Sequence, residues 1–209
     1  MITKLDFMQR YVYIPIGMPC CGKTTFYNTM KELEEFTPVQ VASPDLVREE
    51  LYPGYEAGNI LFGDIDQEQV FLQAHRNMED LLLDGYNVWF DAINTPIKSR
   101  MVLFHRAEAI ANTPFFYEEM NYILLMLHVP LEEILNRNET YRAGYRRPPT
   151  ESLERMYEYF LSIAAEDLIF PIENRQEIWE LKWDGVWSAV HVVPERCQLL
   201  LDNVNSLNN

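Results

Sequence analysis

The chain holds three cysteines and four histidines in 209 residues, which excludes both a disulfide framework and a structural zinc site. Cys20 and Cys21 are adjacent, and His75, His105, His128 and His191 are scattered, so no pair recurs at metal-ligand spacing. No stretch approaches the roughly 18 apolar residues of a membrane span. The opening Met1-Ile2-Thr3-Lys4-Leu5-Asp6 lacks the apolar run of a secretory leader, so a cytoplasmic protein with no membrane contact is expected. Internal repeats and low-complexity segments are absent, and the length suits one domain over residues 1–209. Basic residues are scarce too, 17 against 32 acidic ones. The resulting charge of −15 excludes broad, non-specific nucleic-acid binding, which draws its energy from Lys and Arg neutralising phosphates.

What is present is a sizeable apolar fraction, 48%, arranged in alternating extended and helical periods. Strands are expected at Tyr11–Ile16, Val39–Ala42, Asn87–Asp91, Tyr122–Val129 and Val190–Val193. Helices are expected from Lys23 to about Glu35, from Ser43 and Pro44 to Tyr52, and over Asp66–Asp84, Pro96–Ala111, Pro130 into the 137–147 segment, Glu151–Asp167 and Glu195–Asn205. Ser43 is an N-cap with Pro44 at the first helical position, where its missing N–H costs nothing. Val70, Ala74, Met78, Leu81 and Leu82 recur at helical spacing, and Gly85 stops that helix. The alternation predicts an α/β fold, a three-layer α/β/α sandwich on a mainly parallel sheet, with its site at the carboxyl ends of the strands.

Directly behind the first strand stands Gly17-Met18-Pro19-Cys20-Cys21-Gly22-Lys23-Thr24, followed by Thr25. This is a complete G-x-x-x-x-G-K-[ST] phosphate-binding loop. Its four fixed positions should coincide by chance in about one chain of this length in a hundred. Backbone N–H groups and a helix N-terminus would cradle the triphosphate of ATP, Lys23 would reach the β/γ oxygens, and the Thr24 hydroxyl would bind Mg²⁺.

Three further elements should converge on the same edge. Asp45 and Arg48 lie one turn apart on one helix face, presenting an acid and a base together. Asp45 suits acceptance of a proton from an attacking hydroxyl; the competing reading makes it a stabiliser of its own helix end. Asp91 ends a buried strand, where a carboxylate can hold Mg²⁺ beside Thr24, and Asn94 can orient the acceptor or the loop. Arg137, Arg142, Arg146 and Arg147 face only Glu139 between residues 137 and 147, a net +3 patch in an acidic chain. An anion is expected there, the alternative being a solvated loop. Helix spacing from Leu131 puts Arg137 at a helix end and Arg142 beyond it beside Ala143-Gly144, which makes Arg142 the choice for an arginine folding over a triphosphate.

These motifs, the loop, D-x-x-R (Asp45, Arg48), G-x-N-V-x-x-D-A-x-N (Gly85 to Asn94) with Arg100 beyond, and R-N followed by Arg and Gly, resemble the polynucleotide 5′-hydroxyl kinases and their P-loop phosphotransferase relatives, zeta-toxin-like kinases among them. The match runs from about Tyr11 to Phe160. The resemblance implies a P-loop kinase fold with an arginine-bearing helical lid over about 131–160, ATP and Mg²⁺ on Lys23, Thr24 and Asp91, Asp45 as general base, Arg48 on the acceptor-side phosphate, and a lid arginine on the ATP phosphates. The acceptor it implies is a nucleic-acid 5′-OH end. Relatives with the same loop, base and lid phosphorylate small-molecule alcohols such as nucleosides and nucleotide sugars, and a nucleotide-binding switch without transfer is a third class. Arg137 and Arg142 are five apart where the family has four, so Arg137, Arg142 and Arg146 all stand as lid candidates. At Cys20-Cys21, loop amides and the helix dipole could lower a thiol pKa and confer redox control, against the favoured reading of small loop filler.

Overall fold

The structure, a computed structural model, describes residues 9–36, 38–55, 62–114, 116–141, 148–163, 165–168, 170 and 175–207. Its strands are β1 (Gln9–Ile16), β2 (Val39–Ala42), β3 (Asn87–Phe90), β4 (Glu119–His128), β5 (Gln176–Trp183) and β6 (Trp187–Ala189). Its helices are α1 (Lys23–Glu32), α2 (Pro44–Leu51), α3 (Gln67–Leu83), α4 (Ile97–Ala111), α5 (Leu131–Tyr141), α6 (Thr150–Leu161) and α7 (Glu195–Ser206). The strands form one sheet in the order β2-β3-β1-β4-β5-β6. All neighbours are parallel except β5 and β6.

Central strands buried on both faces need continuous apolar runs, and β1 and β4 carry them at residues 12–16 and 122–127. Val12, Ile14, Ile16, Ile123, Leu124 and Leu127 are all fully buried, each contributing about 1.5–3 kcal/mol. Helix α3 buries the stripe Val70, Ala74, Met78 and Leu82, and Asp66 caps it by accepting from the Gln69 N–H. Ser43 caps α2 by accepting from the Asp45 N–H, with Pro44 at the first position as its fixed φ favours. The helices pack in separate groups, α1 with α7, and α2, α3 and α4 in succession, the division that right-handed crossovers of parallel strands favour. Because the first five strands are parallel, the segments that follow β1, β2, β3 and β4 all emerge at one carboxyl edge.

Four expectations need correction. The helix after Lys23 ends at Glu32, with a separate 3₁₀ turn at Glu34–Phe36. Helix α6 stops at Leu161, and Ala165–Leu168 is a 3₁₀ turn. Strand β5 was not anticipated, because Gln176-Glu177-Ile178-Trp179-Glu180-Leu181-Lys182-Trp183 reads as polar; its period is two, with Trp179 and Leu181 buried and Ile178 exposed. The last strand is Trp187–Ala189, not Val190–Val193, where Val192 lies fully exposed. Trp187 decides the register: its ring sits 5.1 Å from Phe26, and its backbone exchanges two 2.8 Å hydrogen bonds with the Asn205 side chain.

Candidate active site

The loop between β1 and α1 is locked from beneath. The Gly17 N–H donates to the Ile93 carbonyl at 3.2 Å, and the Cys21 N–H to the Met18 carbonyl at 3.3 Å. Gly22 takes φ 100°, a left-handed turn natural to glycine, and delivers the chain into α1. The Thr25 and Phe26 N–H groups donate to the Gly22 carbonyl at 2.9 and 3.1 Å, so α1 begins directly behind the loop, and a helix N-terminus there is the arrangement that receives an anion. The Lys23 ammonium donates to the Gly17 and Met18 carbonyls at 3.0 and 2.8 Å, so the loop's cation is drawn over its own backbone. Met18, Pro19 and Cys21 are buried, while Thr24 and Thr25 are exposed. Burial pushes the Cys21 thiol pKa up, more than neighbouring Lys23 draws it down, which agrees with the favoured reading of small loop filler and not with an activated thiol at Cys21.

Asp91 directly follows β3, and its N–H donates to the Ala42 carbonyl at 2.9 Å. Its charge is near enough to bear on Cys21, which sets the carboxylate beside the loop. Among the described residues no three His, Cys, Asp or Glu side chains gather into a protein-only metal cage. An exposed threonine hydroxyl and one carboxylate are the hard oxygen donors that fit Mg²⁺, which keeps its waters and takes further ligands from phosphates.

At the end of β2, the Arg48 guanidinium is buried and bonded to Asp45 Oδ1, whose side chain is 65% exposed. Gln67, at the head of α3, fixes the guanidinium from behind by accepting from its Nε at 3.2 Å and an Nη at 2.9 Å. The acid is therefore held at the surface by an arginine that cannot swing away. Asn94 is not free to meet a ligand. At φ 53° it donates to the Pro15 and Phe90 carbonyls at 2.9 and 3.0 Å, tying the end of β3 to that of β1. Arg100, fully buried, donates to the Asn94 and Thr95 carbonyls and to that of Asp167 at 2.7 Å, so it clamps this loop.

Arg137 does not end its helix, since α5 continues to Tyr141. It pairs with Glu133 at 2.6 Å, lies 4.7 Å over the Trp183 ring, and reaches the Cys20 carbonyl at 3.5 Å. Arg142, Arg146 and Arg147 lie outside the described residues. Of the arginines weighed for the lid, Arg137 is the one seen against the phosphate loop. Its neighbour Asn138, buried, lies 4.0 Å from the Cys20 thiol.

Gln67, Trp183 and the Phe71–His75 pair were not foreseen. Gln67 and Trp183 carry no motif, and only contact with Arg48 and Arg137 marks them. An aromatic at Phe71, off the Val70-Ala74-Met78-Leu82 stripe, was the one readable signal.

No protein-family model matches the chain, and no curated protein matches it in sequence. Solved structures do. A chain of the Pnkp1/Rnl/Hen1 RNA repair complex superimposes with a TM-score of 0.58 at 19% identity, over 76% of this chain and 46% of that one. The present chain thus spans less than half of it. The Mycobacterium tuberculosis APS kinase CysC, in complex with AMPPNP and APS, matches with a TM-score of 0.51 at 15% identity, over 95% of this chain and 99% of the other. A fungal RNA kinase matches with 0.50 at 16% identity, over 95% and 85%. The fold is that of the P-loop kinases. In the P-loop kinase fold the loop after β1, the Asp45–Arg48 corner after β2 and Asp91 after β3 share one sheet edge, as the motif order implied.

Proposed function

We propose that the chain is an ATP-dependent kinase that transfers a phosphoryl group to a hydroxyl, the 5′-OH of a nucleic-acid end. The observation carrying this reading is the Asp45–Arg48–Gln67 corner: an exposed carboxylate held by a buried guanidinium, at the same edge as the Lys23 loop. A nucleotide switch needs only to position water, whereas an alcohol acceptor needs a proton acceptor and a group to hold its body. Asp45 takes the proton of the attacking hydroxyl, and Arg48 holds the phosphate on the acceptor side. Lys23 leaves the Gly17 and Met18 carbonyls for the β/γ oxygens, while Arg137, and Arg142 from the segment beyond it, neutralise charge on the transferring group. Thr24 and Asp91 would hold Mg²⁺, which offsets phosphate charge.

The RNA kinase and RNA repair complex among the structures of this fold support the nucleic-acid acceptor. The APS kinase and the charge of −15 favour the second reading, a small-metabolite acceptor. γ-Labelled ATP offered with 5′-OH RNA, 5′-OH DNA, nucleosides and nucleotide sugars separates them. Label on oligonucleotide ends, blocked by a pre-existing 5′ phosphate, is the expected result. Label on a small metabolite alone, or stable ATP occupancy without transfer, would overturn it.

A further inference from the structure

Beside the Asp45–Arg48 corner a shallow groove lies along α3 and the head of α4. Gln67, the residue bonded to Arg48, begins it. Two clefts of about 400 and 300 Å³ meet at Phe71 and His75, the second bounded by Phe90, Lys98 and Val102. Its walls present apolar surface to solvent: Phe71 is 37% and Val102 40% exposed. The rings form a ladder, Phe71 to His75 at 6.3 Å and His75 to Phe90 at 5.4 Å and nearly parallel, descending from the surface to the end of β3. Arg48 lies 5.9 Å from the Phe71 ring. An exposed ring backed by a guanidinium and a second ring loses little freedom when another aromatic stacks on it.

The charges around the groove are ordered as well. Burial lowers the pKa of His75 to about 4, so near neutral pH it offers a ring face and no charge. Lys98 is exposed on the α4 rim, and no carboxylate among the described residues pairs with it. Glu68 stands on the outer cleft of the α3 side, so an anion is favoured along α4 and repelled from α3. An apolar platform flanked by one unpaired cation, leading away from a corner suited to a hydroxyl, is more than a small alcohol would fill. Alternating stacking and phosphate neutralisation is how single-stranded nucleic acid is held.

We propose that this groove receives the second nucleotide of a single-stranded polynucleotide acceptor, its base stacked on Phe71 and its 3′-side phosphate paired with Lys98, the phosphate on its 5′ side being the one that Arg48 holds. The inference rests on the kinase reading and adds what that reading leaves open, the length of acceptor the site grips. Salt dependence should be shallow, because one lysine and one arginine release few counterions.

The test compares a 5′-OH nucleoside 3′-phosphate with 5′-OH di-, tri- and tetranucleotides as acceptors at saturating ATP. We expect kcat/KM to level off only at the trinucleotide, which supplies the phosphate for Lys98, after a gain of about tenfold or more from the nucleoside 3′-phosphate to the dinucleotide, which supplies the base for Phe71. Phe71→Ala should lose that gain through KM rather than kcat, and Phe71→Trp should retain it, with indole fluorescence beyond the wild-type signal quenched by the oligonucleotide. Lys98→Gln should reduce the slope of log KM against log salt for the trinucleotide by about one. Equal use of the nucleoside 3′-phosphate and the dinucleotide, or a Phe71→Ala enzyme indistinguishable from wild type on the dinucleotide, would overturn the groove and leave the kinase reading standing. Transfer to a small metabolite with no oligonucleotide product would overturn the reading beneath it.

Discussion

Gly17→Ala tests whether the phosphate loop is held by steric contact from below. Gly17 does not have positive φ, so the backbone would accept alanine. The space would not: a Cβ there would lie 2.6 Å from Cys21 Sγ and 3.4 Å from both Leu127 Cβ and the Leu127 carbonyl oxygen. Comfortable heavy-atom contacts begin near about 3.5 Å, so the sulfur or the loop must move by roughly 1 Å. Cys21 is fully buried and cannot swing into solvent. Overpacking of this kind costs about 1–3 kcal/mol. The cost should fall on the loop itself, because Lys23 bonds the Gly17 carbonyl and lies 3.7 Å from the same sulfur. Affinity for a non-hydrolysable ATP analogue, measured by calorimetry, should therefore weaken by about 5- to 150-fold. Cys21→Ala removes the obstructing atom. Made alone it should lower thermal stability slightly, by about 1 kcal/mol, through the small void it leaves. The double variant Gly17→Ala/Cys21→Ala should bind better than Gly17→Ala by at least about 1 kcal/mol, a positive coupling between touching residues. Additivity of the two single effects within about 0.5 kcal/mol would refute the steric account.

Asp45→Asn keeps the shape of the corner but removes its proton acceptor; turnover at saturating ATP should fall by about 10²-fold or more with ATP affinity little changed. A normal rate together with lost ATP binding would make Asp45 structural. Arg137→Ala and Arg142→Ala, compared at saturating ATP, assign the lid: if Arg142 neutralises the transferring phosphoryl, its loss should cost about 10³-fold or more. A dead Arg137 variant beside a near-normal Arg142 variant would hand the role to the arginine that already touches the loop. Arg100→Leu strips three backbone carbonyls of a buried charged donor and should cost about 3 kcal/mol or more, or about 6 °C or more in Tm. A loss under about 2 °C would mean that the loop holds without its clamp. His75 has a folded-state pKa lowered to about 4 from 6.5, so its contribution to stability is fully present above pH 6.5 and is lost as pH falls towards 4. His75→Phe should accordingly lose less Tm than wild type between those values; parallel curves would contradict it.

Sequence alone determined the features whose causes are local. The G-x-x-x-x-G-K-[ST] spacing, Ser43-Pro44 at the head of α2, the Val70-Ala74-Met78-Leu82 stripe and the apolar runs of β1 and β4 each express a constraint between residues a few positions apart. From these followed the alternating fold and three of the segments at the sheet edge. Asp45 and Arg48, three residues apart on one helix, were readable as a pair for the same reason. Tertiary structure decided the rest. Strand β5 hides in a polar-looking segment because only one of its faces meets the core, and Trp187 overrode the valines after it through contact with Phe26. Asn94 matches a motif position, yet its amide is committed to the carbonyls of Pro15 and Phe90. Arg137 meets Cys20 across 117 positions of chain, Gln67 meets Arg48 across 19, and Phe71 becomes a surface platform only because α3 and α4 are brought side by side. Such pairings depend on which strands neighbour which, and that order is set by the burial of the whole sheet rather than by any window of residues.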